Sequence, residues 1–335
     1  MPWSAKTRSG LIAAALVCGC AARERSSSRE DAASAEPLPG YVAHSTRTHP
    51  AGMIVSTLRS RGRPFGIAVS RTGIVYCTLL DAASLVRTTL QADSLTAVPV
   101  DQVPTDVAFS PDGQWAYVTN QWAHTVGIVD VRTTRQVHSV SVSGDPFRVS
   151  VGPEGQQIYV TTNTGELVLI DPAMRRVTRT VQLGGNLNGL AINADGTRVY
   201  VGDVGGRVYE LDAAGDVLRG FVVPGRPQGL GLSADGRELY AAGEDGDLIV
   251  LDLETGAEIA RVALGAGGFG LAVTPDQTEV WVTVPSAGRV LVLDRASRTI
   301  RSAIDLGGVP RRLAFDRSGA LVVIADEAGA MRFVR

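Results

Sequence analysis

Short apolar runs separated by clusters of Gly, Pro, Asp, Ser and Thr recur from about residue 53 onward. In the stretch 104–144 these runs are VAFS (107–110), WAYVT (115–119), TVGIVD (125–130) and an alternating run ending at Val142. They are rich in β-branched and aromatic residues, and no window of about 10 to 12 residues has helical periodicity. The pattern predicts four short strands joined by turns.

The first turn of this unit is Ser110-Pro111-Asp112-Gly113. Proline fixes φ, the Asp side chain can accept a hydrogen bond from its own backbone, and Gly accepts a positive φ. The sequence therefore predicts a tight hairpin between the first two strands.

The same strand–turn–strand opening occurs seven times along the chain. Aligned anchor residues are 40, 42, 41, 40, 41 and 42 positions apart. The anchors are Pro64, Pro104, Pro146, Leu187, Pro227, Gly268 and Pro310. The sixth copy has Gln277 where the other copies have the turn Gly. A period of about 40 residues with four strands is typical of a β-propeller blade.

The two ends of the repeat region indicate how the ring closes. After Arg312 the sequence has strand-like runs at 312–316, 321–325 and 330–334, which supply three strands of a blade. MIVSTL (53–58) precedes the first anchor in the place of a fourth strand. We therefore predict an all-β, seven-bladed propeller of four-stranded antiparallel blades over residues 53–335, with the last blade closed by an N-terminal strand (3+1).

The N-terminal region predicts an export signal. Lys6 and Arg8 precede the apolar run Leu11–Val17, which is too short to span a bilayer. The sequence 17–20 (Val-Cys-Gly-Cys) resembles the lipobox of bacterial lipoproteins, and the resemblance implies a signal peptide over 1–19 and lipidation of Cys20. An ordinary signal peptide cut near residues 21–22 is the alternative.

Residues 20–52 are dominated by Ser, Arg, Glu, Ala and Pro, with hardly an apolar cluster. Such a composition cannot bury enough surface to order itself, so we predict a disordered tether. From the predicted tether and a lipidated Cys20, we expect the protein to lie outside the cytoplasm, attached to the bacterial envelope. Because Ala21 and not Asp follows the Cys, the lipoprotein resemblance implies sorting to the outer membrane.

Three motifs carry a resemblance to a known family. The Tyr-Val-Thr-Asn of 117–120, the turn at 110–113 and the I-V-D-x-x-T pattern at 128–133 resemble the YVTN-repeat family of bacterial and archaeal surface propellers. The resemblance covers residues 53–335. It implies a propeller with an extracytoplasmic binding role and says little about activity.

Composition narrows the function classes further. The net charge is −2 and Lys6 is the only lysine, which argues against a nucleic-acid groove. The chain has no P-loop, His-Glu-x-x-His, Cys-x-x-Cys or Gly-x-Ser-x-Gly motif, so we predict no cofactor and no metal. Cys77, in an apolar run, is interpreted as a buried inert thiol.

Propeller geometry indicates where a ligand site would lie. Residues entering the innermost strands ring the mouth of the central channel, and among them Arg148 and Arg312 could contact a small anionic or polar ligand or a peptide carboxylate. Asn188 and Gln228 would be hydrogen-bond partners, and the glycines of the ring would leave room. The alternative is that an Asp106–Arg148 salt bridge between blades merely fills the channel.

Three function classes follow. A monomeric, lipid-anchored binding or scaffold protein for an envelope protein or small ligand is favoured because no catalytic constellation is present. A metal-dependent hydrolase, lactonase or lyase would need ligands such as Asp106, Asn120, Asp203, Glu244 and Asp326 to converge, although they occupy different repeat positions. Electron transfer would need haem or quinone motifs; DLETG (252–256) resembles a quinoprotein repeat but lacks its docking Trp.

Overall fold

The computed structural model describes residues 52–335. The predicted signal peptide, Cys20 and the tether up to residue 51 lie outside these described residues. Within the described part of the chain, no helix is long and apolar enough to cross a membrane.

The described residues form 28 short strands and one 3₁₀ turn, Pro285–Ala287. The strands are β1 (Ile54–Arg59), β2 (Pro64–Val69), β3 (Ile74–Leu79), β4 (Ser84–Thr89), β5 (Thr96–Pro99), β6 (Pro104–Phe109), β7 (Trp115–Asn120), β8 (Thr125–Asp130), β9 (Arg135–Ser141), β10 (Pro146–Val151), β11 (Ile158–Thr162), β12 (Glu166–Asp171), β13 (Arg176–Gln182), β14 (Leu187–Ile192), β15 (Arg198–Asp203), β16 (Arg207–Asp212), β17 (Val217–Val222), β18 (Pro227–Leu232), β19 (Glu238–Gly243), β20 (Asp247–Asp252), β21 (Glu258–Ala263), β22 (Leu271–Val273), β23 (Glu279–Val284), β24 (Arg289–Asp294), β25 (Thr299–Asp305), β26 (Pro310–Phe315), β27 (Val322–Asp326) and β28 (Ala330–Val334).

These strands form seven antiparallel four-stranded sheets, which confirms the predicted fold class. Six blades use four consecutive strands, from β2–β5 for the first blade to β22–β25 for the sixth. The seventh has the order β1-β28-β27-β26, so the N-terminal strand completes it. The inner strand β2 contacts both β6 and β26, which closes the ring.

Backbone hydrogen bonds continue the closure beyond β1. The N–H groups of Gly52 and Met53 both donate to the carbonyl of Arg335, at 2.7 and 3.0 Å. The Arg335 N–H donates in return to the carbonyl of Met53 at 3.0 Å. Gly52, which we assigned to the tether, thus already contacts the last residue of the seventh blade.

The hydrophobic core lies between neighbouring blades. One cluster joins Tyr117 of the second blade to Ile158 of the third, and another joins Cys77 of the first blade to Phe333 of the seventh. The second strands are buried almost throughout, whereas an outer strand such as β13 is largely exposed. The apolar YVT-type runs are therefore the surfaces on which blades pack.

The turns follow the sequence prediction. Ser110 Oγ donates to Asp112 Oδ1 at 2.5 Å and accepts the Trp115 N–H at 3.0 Å, while Gly113 has a φ of 71°. In the sixth blade Gln277 takes the same left-handed conformation, with a φ of 62°. Its Oε1 accepts the N–H of Ala234 at 2.8 Å, a contact to the fifth blade that Gly could not make.

The inner strand begins at the predicted anchor residue in six of the seven blades. The exception is the sixth blade. β22 begins at Leu271, three residues after Gly268. The Gly268 N–H donates to the carbonyl of Gly243 in the fifth blade at 2.9 Å. The backbone N–H of the sixth anchor thus bonds to the preceding blade, and pairing within the sixth blade starts with the Phe269 N–H and the Thr283 carbonyl at 3.0 Å.

Candidate functional site

The inner strands present two successive rings of residues at the propeller axis. Immediately after the anchors lie Phe65, Thr105, Phe147, Asn188, Gln228, Phe269 and Arg311. The next ring consists of Gly66, Asp106, Arg148, Gly189, Gly229, Gly270 and Arg312. In six blades the register between the first two strands shifts at these positions, so the two ring residues of each such blade lie at an irregularity of the strand ladder.

Threonine hydroxyl groups on the second strands link the inner strand of their own blade to the inner strand of the next. Thr119 Oγ1 accepts the Asp106 N–H at 2.9 Å and donates to the Phe147 carbonyl of the third blade at 3.2 Å. Thr283 Oγ1 does the same with the Gly270 N–H (2.7 Å) and the Arg311 carbonyl (2.6 Å). Sequence reasoning noted the repeated YVT but missed this role; the recurrence of Thr at one position was the available signal.

Three phenylalanine rings meet at the axis. Phe65, Phe147 and Phe269 come from the first, third and sixth blades and are 7–9% exposed. Their ring centroids are 5.9 Å apart for Phe65–Phe147 and 5.5 Å apart for Phe65–Phe269, both edge to face. They form an apolar cluster of their own, with Leu80 beside it. We call these three rings the phenylalanine trio.

The guanidinium group of Arg312 lies against the phenylalanine trio. Its Cζ is 5.8, 5.6 and 5.1 Å from the ring centroids of Phe65, Phe147 and Phe269. The Arg312 side chain is 5% exposed, so the charge is almost fully buried. A cation over the face of an aromatic ring, within about 6 Å of its centroid, is stabilised by about 0.5–1 kcal/mol at an exposed site and by about 2 kcal/mol or more when desolvated.

Arg312 and Arg148 share a single carboxylate. Asp106 Oδ1 lies 3.9 Å from Arg312 Nε, and Asp106 Oδ2 lies 3.5 Å from Arg148 Nε. Neither contact is a hydrogen bond, and Arg312 Nε, Arg312 Nη2 and Arg148 Nε have no hydrogen-bond acceptor within residues 52–335. A buried donor without an acceptor lowers the stability of the folded state by about 1–3 kcal/mol, and by more when it is charged. These three donors are therefore costly to leave without an acceptor.

The burial of Asp106 opposes its ionisation. Burial raises the pKa of Asp106 above its ordinary value, and the neighbouring Arg148 charge opposes that rise. Asp106 Oδ2 also accepts the Val149 N–H at 3.3 Å. Any proton taken up by Asp106 would increase the positive charge around Arg148 and Arg312.

Asn188 and Gln228 form a second polar group. Asn188 Nδ2 donates to Gln228 Oε1 at 2.5 Å, and Gln228 Nε2 donates to Glu244 Oε1 at 2.7 Å. Arg226 lies 3.3 Å from Glu244 Oε2. The Asn188 Oδ1 atom is buried and has no donor among the described residues. The structure thus joins the five predicted residues into two groups, Asp106–Arg148–Arg312 and Asn188–Gln228.

A third charged group flanks the phenylalanine trio. The Arg311 guanidinium lies 4.9 Å from the centroid of Phe269 and 5.6 Å from that of Phe65. Arg311 Nε donates to Glu327, which also receives a hydrogen bond from Arg63. Two consecutive residues of β26, Arg311 and Arg312, thus both place their guanidinium groups against the phenylalanine trio.

The expectation that the glycines leave room in the channel is wrong. A Cβ on Gly66 would lie 2.6 Å from Asp106 Cα, and one on Gly270 would lie 2.2 Å from the Arg311 carbonyl oxygen. The space is filled by the backbone of the next blade. These glycines let neighbouring inner strands approach each other near the axis, where blades are closest.

The statement that the candidate metal ligands occupy different repeat positions is also wrong for three of them. Asn120, Asp203 and Asp326 all end the second strand of a blade. Asp203 and Asp326 each accept backbone N–H groups of their own blade, for example from Asn186 (3.0 Å) and Val309 (2.7 Å). In residues 52–335 no three His, Cys, Asp or Glu side chains are grouped to hold a metal ion.

The remaining candidate chemistry has local partners. His124 is 56% exposed on its side chain, and its Nδ1 lies 2.7 Å from the Gly144 carbonyl oxygen and 3.2 Å from Asp145. Cys77 is a free, fully buried thiol, and burial raises its pKa. The buried position matches the interpretation of an inert cysteine.

Two shallow grooves lie at the other end of the blades. One, of about 570 Å³, is lined by Arg71, Gln91 and Arg317 among others, between the first and seventh blades. The other, of about 390 Å³, is lined by Trp115, Tyr117 and other residues of the second and third blades. Arg175 covers the Trp115 ring there, 5.7 Å from its centroid. Neither groove is lined by a residue of the two axial rings.

Seven four-stranded blades closed by an N-terminal strand define a seven-bladed β-propeller protein. No family model matches the chain. A segment of 124 residues is 29% identical to the seven-bladed beta-propeller protein Rv1057 of Mycobacterium tuberculosis. The match covers 36% of this chain and 32% of that protein, so the chain spans about a third of that relative's length.

A solved structure is similar over a larger part of the chain. The hydrazine synthase of Kuenenia stuttgartiensis superposes with a TM-score of 0.75 over 83% of this chain and 97% of the matched chain. The two are 18% identical in sequence. At this identity the likeness shows the fold alone.

Proposed function

We propose that this chain is a non-catalytic binding protein of the bacterial envelope, attached to the membrane through a lipid on Cys20. In this proposal the protein belongs with the YVTN-repeat surface propellers. Its axis binds a small anionic or polar ligand, or the carboxylate of an envelope protein. The lipobox-like sequence at 17–20 and the Tyr-Val-Thr-Asn at 117–120 support the address and the family.

One observation carries the binding role. The almost fully buried Arg312 and the partly buried Arg148 face one carboxylate, and three of their N–H-bearing atoms have no acceptor in the described chain. An anion that enters between them would supply charge-assisted hydrogen bonds, which are the strong ones. Charged donors that are already fixed in a site of low polarity favour anion binding, because they need no rearrangement when the anion arrives.

The test is anion binding by the purified full chain, measured by isothermal titration calorimetry with acetate, phosphate and sulfate. We expect at least one of these anions to bind, and Arg312→Gln to weaken its binding by about tenfold or more. Arg148→Gln should have a smaller effect, since Arg148 is more exposed than Arg312.

The matched control is Arg132→Gln, which removes an arginine whose side chain is 85% exposed in a blade turn. It should leave the affinity unchanged. Equal anion affinity in the wild type and in the Arg148→Ala, Arg312→Ala double variant, with folding verified by circular dichroism, would show that the axis is only a packed centre.

The membrane address has its own test. Labelled palmitate should enter the wild-type protein and the Cys18→Ala variant in cells, and should not enter Cys20→Ala. Labelling of all three proteins, or of none, would contradict a lipid on Cys20. This result is independent of ligand binding at the axis.

A further inference from the structure

The phenylalanine trio is set apart from the rest of the apolar interior. The other buried clusters of the described chain lie between the faces of neighbouring blades. Phe65, Phe147 and Phe269 instead come from three blades of which no two are adjacent, and Leu80 is the apolar side chain that packs beside them. The trio is therefore an apolar surface of the axis itself.

This apolar surface is in direct contact with the donors that lack acceptors. The Arg312 guanidinium touches all three rings, and its Nε and Nη2 atoms have no acceptor in residues 52–335. Aromatic rings interact with the cation through their π faces but accept no in-plane N–H hydrogen bonds of the guanidinium fork. A plug that only sealed the axis would need the rings and not the buried charge.

The local charge indicates the charge of the ligand. Arg148 and Arg312 are paired with Asp106 alone among the described carboxylates. With Asp106 ionised, one positive charge is left without a counter-charge. A single carboxylate would balance it, and its planar shape fits the guanidinium fork with two parallel hydrogen bonds.

We propose that the axial site binds a monocarboxylate that carries an aromatic or aliphatic group. The carboxylate pairs with Arg312, and the apolar group packs against the phenylalanine trio. This inference rests on the proposed anion binding and adds the chemical class of the ligand. The carboxylate belongs either to a free organic acid or to the C-terminus of a peptide with an apolar last residue.

The experiment compares probes of equal charge and different apolar size. Isothermal titration calorimetry of the full chain would use acetate, hexanoate, phenylacetate and inorganic phosphate. We expect hexanoate and phenylacetate to bind at least about tenfold more tightly than acetate, because they bury apolar surface on the rings. Arg312→Gln should weaken the binding of all three carboxylates.

The trio is tested by Phe147→Leu, which keeps an apolar side chain but removes a ring. It should reduce the advantage of phenylacetate over acetate by about threefold or more. Phe221→Leu is the matched control, because Phe221 is also buried and lies under an arginine, Arg219, at 4.9 Å, but in an outer strand. It should leave the advantage unchanged.

The outcomes distinguish the apolar carboxylate site from the proposed anion binding on which it rests. Equal affinity for acetate, hexanoate and phenylacetate, or tighter binding of phosphate than of any monocarboxylate, would overturn the apolar carboxylate site and leave an anion site. No binding of any probe would overturn both. A pentapeptide ending in Leu that binds better than phenylacetate, and loses binding when its C-terminus is amidated, would support the site and identify a peptide as the source.

Discussion

Single threonine hydroxyl groups link the inner strands of neighbouring blades. Thr119 joins Asp106 of its own blade to Phe147 of the next, and it also shares a hydrogen bond of 2.9 Å with Thr105. The equivalent Thr161 of the third blade is fully buried, but its Oγ1 has no partner in the described chain. At the same repeat position, the Thr119 hydroxyl makes hydrogen bonds between blades, whereas the Thr161 hydroxyl makes none within the described chain.

We expect Thr119→Val to lower the free energy of unfolding by about 1–3 kcal/mol, because the Asp106 N–H and the Phe147 carbonyl lose a buried partner. Thr161→Val should change it by less than about 0.5 kcal/mol or stabilise the protein, because it removes a buried hydroxyl that makes no bond. Urea unfolding of the two variants checks both signs. Equal losses in the two variants would mean that the hydroxyl bonds contribute nothing specific.

Asp106 makes anion binding depend on pH. Its pKa is raised by burial, so its protonation begins at a higher pH than for an ordinary Asp. Protonation removes the negative charge that competes with an anion for Arg148 and Arg312. We expect the affinity for acetate or phenylacetate to rise as pH falls from about 8 toward the ordinary Asp range near 4, until the ligand itself is protonated.

Asp106→Asn mimics the protonated form and should bind the same anion more tightly at neutral pH, by about tenfold, with a flatter pH profile. Asp305→Asn is the control, since Asp305 is an exposed carboxylate paired with Arg289. A wild-type profile that stays parallel to that of Asp106→Asn would contradict the role of Asp106.

At the scale of elements, the strand β1 acts as the closing strand of the ring. It pairs with β28 along Ile54–Arg59, and its side chains alternate between partly buried and exposed. Leu58 packs against the cluster between the first and seventh blades, whereas Val55 on the other face is 41% exposed. The same strand therefore offers a test position and its control.

Leu58→Asn should lower the free energy of unfolding by about 2 kcal/mol, because it places an amide against an apolar cluster and removes buried surface. Val55→Asn should change it by less than about 0.5 kcal/mol. Denaturant unfolding followed by circular dichroism measures both. A Leu58→Asn variant as stable as Val55→Asn would show that β1 adds little to the closure.

At the scale of the whole molecule, the ring closes at the junction between the first and seventh blades. Cys77 is buried in the cluster that joins the first blade to the seventh, together with Met331 and Phe333. Its burial raises the pKa of the thiol and removes it from solvent. Opening of the ring at this junction would expose Cys77 before the other blades unfold.

In a Cys18→Ser, Cys20→Ser variant, Cys77 is the single thiol. We expect a thiol-specific chromogenic reagent to label it at least about a thousandfold more slowly in the native protein than in denaturant, because labelling requires opening. Adding Leu58→Asn should accelerate the native reaction, and adding Val55→Asn should not. Fast labelling of a protein with a native circular dichroism spectrum would contradict a tightly closed junction.

The sequence predicted the local part of the candidate site and missed its assembly. It placed Asp106, Arg148, Asn188, Gln228 and Arg312 in the axial rings because the repeat fixes each residue's position within its blade. The ion pair between Asp106 and Arg148 was foreseen as one alternative and is present. The glycines were misread, because the distance between neighbouring backbones near the axis cannot be obtained from a single repeat.

By itself the sequence determined the blade, the number of blades and the 3+1 closure, since strand pairing within a blade joins residues close in the chain and repeats with one period. Only the tertiary structure decided which side chains meet across the axis. Arg312 reaches Asp106 and all three phenylalanines, which are about 40 to 250 residues away in the chain. Such contacts follow from the radius and closure of the ring, to which all seven blades contribute.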